Sequence, residues 1–343
     1  MNRGPGAQIG RIRVSRGWTL AELARRAGIS RQSLLTIEQG HVPRADTAVK
    51  LAGALGTTVE RLFSPTDEVW AGTPAAHARW TEIDGRLVLH PTTSVVADVR
   101  VREDGRWEAL PGARPPDRVL AVAGCDPALP LVAQFLERQH PGWFCDVLAV
   151  SSRAALTLFE AGLVHVAGLH LFHPDGYNRP HVGPGAAVRQ GIRAAAFEVG
   201  FAARQPNDLA EWPARWQGGT VAIGPAGAET AALATRTAQA HALGPPRHTT
   251  AAPGHDESAR LVAADHADLA VIPRAVAELH ALQFLPLAVQ PFDWVAALPL
   301  APGVERLLAT LAHPTVQRAL GGLPGYSLEH SGHPVWVVDP LNA

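Results

Sequence analysis

The chain has 343 residues, 47% of them hydrophobic and 18% charged, which permits a packed core and argues against long disordered regions. At roughly 100–200 residues per domain, this length favours two or three domains. The formal net charge is −1, but residues 1–63 hold ten Lys or Arg and only four Asp or Glu. We call this basic N-terminal segment the head and the acidic remainder the body. The uneven charge predicts that only the head binds a polyanion.

Two cysteines, Cys125 and Cys145, are too few for a disulfide framework, and the first residues contain no apolar segment of a secretion signal. No apolar run approaches the roughly 20 residues of a membrane helix. We therefore expect a cytoplasmic protein with no membrane partner and no cofactor. Motifs of P-loop proteins, metalloproteases and nucleophile elbows are missing from the sequence, so no enzyme is expected. A triad of Ser152, His170 and Asp126 can be imagined, but no motif supports it.

The head predicts five short helices, at 9–16, 20–27, 31–39, 45–55 and 58–63. Thr19 and Glu22 form a capping box before the second helix, Gly28 ends it as a left-handed C-cap, and Ser30 caps the third. The third helix presents polar side chains on the face opposite its apolar residues, and these suit base edges and phosphates. Such a helix–turn–helix places the start of its second helix in the major groove of DNA.

The segment from Ile9 to Phe63 resembles the Cro/CI-like (XRE) helix-turn-helix family over the whole domain. The resemblance implies two residues that read bases and three that hold phosphates: Gln32 and Ser33, and Arg31, Thr36 and Arg44. Glu38 matches a position that is structural in the family. The alternative is a helical protein–protein module in which Gly28 is only a helix cap.

Residues 67–117 differ from the head because prolines and turn dipeptides interrupt short β-like runs at 86–90 and 94–102. Asp84-Gly85 and Asp104-Gly105 are turns of the hairpin type. We interpret this segment as a linker with a small β subdomain.

From residue 118 onward, apolar runs with the length of strands alternate with helical segments. The predicted strands are 119–124, 145–150, 164–171, 220–224, 268–273 and 284–289. The predicted helices are 127–138, 152–161, 226–242, 256–264, 274–279 and 302–320. Continuous apolar strands between helices indicate a parallel sheet covered on both faces.

Five stretches of this body resemble the type II periplasmic-binding-protein fold: 121–136, 149–156, 165–178, 267–276 and 322–332. The resemblance implies an all-α helix-turn-helix head plus an α/β two-lobed body. The domains would be 1–66, 67–117 and 118–343, with lobe I at about 118–193 and 285–343 and lobe II at about 194–284.

Ligands of such folds bind where strands end and helices begin. Eight residues at these places are candidate ligand contacts: Cys125, Asp126, Ser151, Ser152 and His170 in the first lobe, and Gly227, Glu229 and Asp256 in the second. Some of them also suit ordinary helix caps. The resemblance suggests an oxyanion such as molybdate or tungstate as the ligand. Against this ligand, the stretch 224–230 lacks the arginine that the family would have there.

Metal and redox chemistry stays open at two places. His170, His173 and His181 can meet at one ion only if the chain after Leu171 is a loop. Cys125 precedes a helix N-terminus, where a thiolate is favoured, although the preferred interpretation is a small buried core residue.

The favoured function is a one-component transcriptional regulator. The head would bind a palindromic operator as a homodimer, since helix-turn-helix proteins read two half-sites about one helical turn apart. A small molecule between the lobes would shift DNA affinity. The alternatives are a constitutive DNA-binding protein whose body is a dimerisation or partner module, and a metal- or redox-responsive regulator.

Overall fold

The computed structural model describes residues 9–10, 12–13, 18–57, 59, 62, 68–94, 96–102, 106–185, 187–225 and 227–339. The chain divides into two compact units, Met1–Val119 and Leu120–Ala343. Among the described helices, none combines the length and the apolar character that spanning a lipid bilayer requires.

The head contains helices α1, α2 and α3, at Leu20–Ala27, Arg31–Glu38 and Ala45–Ala54. Their ends follow the predicted caps: Thr19 and Ser30 accept hydrogen bonds from the backbone, and Gly28 adopts a φ of 63°. Leu23, Leu34 and other apolar side chains form the core of the head. The predicted first and fifth helices, including Thr58, fall largely outside the described residues.

The first unit also holds a five-stranded sheet with the order β1-β3-β2-β4-β5. Its strands are Glu68–Trp70, His77–Ile83, Arg86–Pro91, Val99–Val101 and Trp107–Ala109. Strands β2 and β3 form an antiparallel hairpin through Asp84 and Gly85, both with positive φ, as the turn dipeptide predicts. Trp80 and Trp107 pack edge to face within it. The second predicted turn, at 104–105, lies outside the described residues.

The second unit is built on a ten-stranded sheet. Its strands β6–β15 are Val119–Gly124, Phe144–Ala149, Val166–Leu169, Arg189–Ala203, Thr220–Ile223, His248–Ala251, Leu269–Pro273, Gln283–Ala297, Tyr326–Ser327 and Pro334–Val338. The main order is β11-β10-β12-β9-β13-β8-β6-β7, while β14 and β15 pair with β9. The strands β6 and β8, and β10 and β12, are parallel as predicted. Strand β10 also pairs in parallel with β11, which was not predicted as a strand.

Two long strands correct the prediction of a purely parallel sheet. Strands β9 and β13 are antiparallel to each other along almost their whole length, and β9 was not predicted as a strand. Its sequence is rich in Ala and Gly, which have low strand propensity, so its conformation depends on pairing with its neighbours. One end of this pair lies beside β8 and the other beside β12, so the two strands connect the lobes.

Helices cover this sheet. Helices α4–α12 are Leu129–Gln139, Ser152–Glu160, Pro206–Ala210, Trp212–Gly218, Glu229–Ala240, His255–Ala263, Arg274–Leu279, Pro302–Ala312 and Pro314–Gly321. The helix predicted at 302–320 is therefore two helices. His313 has an extended ψ of 132° because the proline that follows it disfavours the helical conformation.

Candidate functional site

A cavity of about 360 Å³ opens between the two lobes of the body. The loops after β6, β7 and β8 line it from the first lobe, and the loops after β10 and β11 line it from the second. Seven of the eight residues selected from the sequence lie on its wall: Cys125, Asp126, Ser151, Ser152, His170, Glu229 and Asp256. Gly227 is not on this wall, and a side chain there would face Arg153.

Cys125 and His170 form the polar centre of the cavity. Cys125 follows the last residue of β6, His170 follows the last residue of β8, and Sγ lies 3.1 Å from Nε2. The other ring nitrogen, Nδ1, lies 2.7 Å from Oε1 of the buried Gln290, to which it donates. Ser152 Oγ accepts a hydrogen bond of 3.1 Å from the backbone N–H of His170. The imidazole therefore faces a thiol, and the imagined triad of Ser152, His170 and Asp126 does not form.

The environment shifts the pKa values of this pair in opposite directions. Burial raises the pKa of the Cys125 thiol, but the charge and hydrogen bond of His170, with His255 beside it, outweigh burial and hold that pKa well below its usual value. Burial lowers the pKa of His170, but Cys125 and Gln290 outweigh it and raise that pKa to about 9. The two shifts favour a thiolate next to an imidazolium.

His255 joins this pair from the second lobe. It is the first residue of α9, and its ligand atom lies within 4.8 Å of those of Cys125 and His170. Among the described residues, its Nε2 atom is buried and has no hydrogen-bond partner. The sequence predicts a ligand contact at the neighbouring Asp256 but gives no signal for His255.

The predicted histidine trio is not assembled. Within the described chain, Cys125, His170 and His255 are the group of possible metal ligands with mutually close donor atoms, and His173 and His181 are outside it. Those two rings pack edge to face on each other, and His181 Nε2 lies 2.9 Å from the carbonyl oxygen of Phe172.

Asp126 lies on the wall of the cavity, and its carboxylate is also held by hydrogen bonds from two other residues of the body. Its Oδ1 accepts hydrogen bonds from the backbone of Ala128 and from the hydroxyl of Tyr326. Burial raises the pKa of Asp126 to about 6, against the opposing effect of those two donors. Burial and the nearby carboxylate also raise the pKa of Tyr326.

Three further polar residues of the wall already have partners. Ser151 caps α5 by accepting from Ala154 N–H, as the capping interpretation allows. Glu229 is buried in an ion pair with Arg236. Asp256 pairs through Oδ1 with His280 over 2.7 Å and through Oδ2 with an arginine on its own helix.

Four of the five predicted DNA-contacting residues lie at the start of α2 and at the N-cap of α3. Arg31, Gln32 and Ser33 are exposed, and so is Arg44. Ser33 Oγ lies 2.8 Å from Ser30 Oγ, in the cap of the helix. Thr36 is turned toward its own helix, where its hydroxyl donates to the carbonyl oxygens of Gln32 and Ser33 over 3.1 and 2.9 Å.

A helical DNA-binding head and a two-lobed body with a cleft define a transcriptional regulator of the helix-turn-helix type. Comparison with known families agrees with both parts. Residues 9–62 match the helix-turn-helix family, and residues 133–311 match the PBP superfamily domain. The chain belongs to the PBP superfamily and carries an XRE-type helix-turn-helix at its N-terminus.

Individual relatives match one part or the other. The HTH-type transcriptional regulator y4dJ of Sinorhizobium fredii is 39% identical over 69 residues, which is 20% of this chain and 90% of that protein. A structure described as a phosphate ABC transporter substrate-binding protein from Clostridium perfringens, with bound phosphate, has a TM-score of 0.50 at 10% identity, covering 61% of this chain and 99% of the other. An ABC-type phosphate transport receptor from Vibrio cholerae has a TM-score of 0.44 at 11% identity, covering 60% and 98%.

Proposed function

We propose that the protein regulates transcription in response to a small effector that binds in the cavity between the lobes. The observation that carries this proposal is the composition of the wall: the cavity takes polar groups from both lobes, including Cys125 and His170 from one and His255 and Glu229 from the other. A ligand that contacts both lobes binds a closed arrangement better than an open one. That difference in affinity is what shifts a conformational equilibrium.

Strands β9 and β13 provide a route for such a closure. They are the antiparallel pair that runs through both lobes, and their register shifts between Pro286 and Ala288 and between Phe292 and Asp293. Local irregularity in connecting strands is where a hinge can absorb changes of backbone angle.

The wall favours a neutral or cationic effector over an oxyanion. Its described residues include three carboxylates, on Asp126, Glu229 and Asp256, and contain neither Arg nor Lys. The recognition of molybdate, tungstate or phosphate needs positive charge as well as donors, and the positive charge here comes only from histidines and helix N-termini. We therefore do not extend the phosphate of the Clostridium perfringens structure to this chain.

On the DNA side, we propose that a homodimer places α2 in two successive major grooves of a palindromic operator. Gln32 and Ser33 would contact bases, while Arg31, Thr36 and Arg44 would contact phosphates. The basic excess confined to residues 1–63 supports this assignment.

The test uses the full chain in two measurements. The operator is selected from random duplex DNA, and a thermal-shift screen compares oxyanions, amino acids, purines and divalent metal ions. We expect one ligand class to raise Tm and to change operator affinity at least tenfold. A selected operator whose affinity no stabilising ligand changes would make the protein a constitutive DNA binder and would overturn the effector role.

A further inference from the structure

We infer that Cys125, His170 and His255 bind a divalent metal ion of the zinc and cobalt class. One thiolate and two imidazoles are a donor set that such borderline ions prefer, and oxygen-seeking ions such as Mg²⁺ do not. In a tetrahedral site with ordinary metal–ligand lengths, sulfur and nitrogen are about 3.5 Å apart. The observed Sγ–Nε2 distance is 3.1 Å, and all three donors lie within 4.8 Å of one another. Cys125 and His170 would have to separate by a few tenths of an ångström, and His255 would have to approach them by up to about 1.3 Å, to seat the ion.

The hydrogen bond of His170 prepares this residue as a ligand. Because Nδ1 donates to Gln290 Oε1, a metal ion that displaces the proton of Nε2 finds the lone pair of the ring on that atom, which faces Cys125. A partner that accepts from the distal ring nitrogen is the usual support of a metal-binding histidine, where it fixes both tautomer and orientation.

His255 supplies an observation independent of that pair. Among the described residues, its Nε2 is buried without a hydrogen-bond partner. A buried polar atom left unpaired is unfavourable, and such atoms are rare in folded proteins. A metal ion shared with the neighbouring thiolate would give this nitrogen a partner.

The carboxylates nearby do not compete for the role of fourth ligand. Asp126 is held by Tyr326 and the backbone of Ala128, and Glu229 is paired with Arg236. Three protein ligands would leave one position of a tetrahedral ion open to the cavity of about 360 Å³. That position would take water or a coordinating group of a small molecule.

The ligands come from both lobes, so the ion would join them. Cys125 and His170 follow strands of the first lobe, whereas His255 begins a helix of the second. This regulatory consequence rests on the proposed function, but binding of the ion does not. Metal binding and DNA binding can therefore fail separately.

The decisive experiment titrates the reduced, chelator-treated full chain with Co²⁺. We expect one ion per chain, with a thiolate-to-cobalt charge-transfer band in the near ultraviolet and visible bands of a four-coordinate ion. Cys125→Ser should abolish the charge-transfer band, and His255→Ala should weaken binding at least about 100-fold. Cys145→Ala and His248→Ala are the matched controls and should stay within about threefold of the parent chain. His255 begins its helix and is only partly buried, so its variant should fold, which circular dichroism checks.

A second measurement does not depend on the absorption spectrum of bound Co²⁺. Zn²⁺ should slow alkylation of Cys125 by iodoacetamide at least tenfold, as read by mass spectrometry of the Cys125 peptide. Absence of Co²⁺ binding, or a charge-transfer band that survives in Cys125→Ser, would overturn the metal site. Rapid alkylation of Cys125 that Zn²⁺ does not slow would also overturn it and would point to direct thiol chemistry.

Operator affinity separates the two proposals. If Co²⁺ binds through Cys125 but leaves operator affinity unchanged, the metal site stands and the regulatory role of this ion fails. If another ligand changes operator affinity in a chain that binds no Co²⁺, the proposed function stands and the metal site fails.

Discussion

The guanidinium of Arg13 donates two parallel hydrogen bonds to the carboxylate of Glu38, from Nε to Oε1 over 2.7 Å and from Nη2 to Oε2 over 2.8 Å. Both side chains are largely buried, with 14% and 12% exposed. Arg13 also donates to the carbonyl oxygen of Trp18. Glu38 is the last residue of α2, so the pair ties the end of the helix that we propose to contact DNA to the chain before α1. This agrees with the structural role that the family resemblance implies for Glu38.

We expect Glu38→Ala to lower the free energy of unfolding of the head by about 1–3 kcal/mol, because it leaves a partly buried guanidinium without its charged partner. The matched control is Glu22→Ala. It removes an exposed ion pair between Glu22 and Arg26, which lie one helical turn apart on α1. Such pairs contribute about 0–1 kcal/mol. Chemical denaturation followed by circular dichroism measures both. Equal losses of unfolding free energy in the two variants would show that the bidentate pair stabilises the head no more than an exposed ion pair does.

Two exposed side chains should divide specificity from affinity. Gln32→Ala should reduce discrimination at one base pair of the operator by about 1–3 kcal/mol, because it would remove the proposed base contact. Arg44→Ala should weaken binding to all sequences alike and reduce the salt dependence by about one unit of slope, because it would remove the proposed phosphate contact. Binding to operator and scrambled duplexes at several salt concentrations distinguishes the two. A uniform effect of Gln32→Ala would refute its role as a base reader.

The head was predictable because local signals determine it. The caps at Thr19, Gly28 and Ser30 set the helix ends, and the structure places them as the sequence indicates. Most of the cavity wall was predictable for a different reason, which is the topology of the sheet. The ends of parallel strands meet at one edge of a sheet, so the residues after β6, β7 and β8 had to be neighbours.

What the sequence did not reveal depends on contacts between distant segments. Cys125 and His170 are 45 positions apart, and no spacing rule joins them to each other or to His255. The long strand β9 was missed because Ala and Gly rarely favour strands, and only the neighbouring strands make that conformation stable. Asp256 was a candidate contact because it begins the predicted helix 256–264, and nothing in the sequence there distinguished the preceding His255 as a ligand.

Close packing behind the cavity gives a third prediction. A Cβ on Gly168 would lie 2.6 Å from Cε1 of Phe292 and closer still to its Cζ. Phe292 is fully buried beside the ring of His170, so it has little room to move. We expect Gly168→Ala to destabilise the body by about 1–3 kcal/mol or more, as overpacking of a core does.

Gly218→Ala is the control for that substitution. Gly218 is exposed at the end of α7, and a Cβ there would meet no atom within 4 Å. It should leave stability unchanged or raise it by up to about 1 kcal/mol, since alanine is the better helix former. Thermal unfolding of both variants measures the difference. A neutral Gly168→Ala would show that β8 and Phe292 separate more easily than the buried contact indicates.

Gln290 should act on the metal site through His170 without touching the ion. It lies on β13, is fully buried, and accepts the Nδ1–H of His170. Gln290→Ala should weaken Co²⁺ binding about 10- to 100-fold, because the imidazole loses the partner that orients it. The charge-transfer band should persist at saturating Co²⁺, since Cys125 still supplies the sulfur. Gln290→Glu should restore affinity, because a carboxylate oxygen also accepts from Nδ1–H.

Gln317→Ala is the control for this substitution. Gln317 makes comparable hydrogen bonds, to Leu311 and Ser331, and its loss should leave Co²⁺ affinity unchanged. Unaltered Co²⁺ affinity in Gln290→Ala would refute this positioning role.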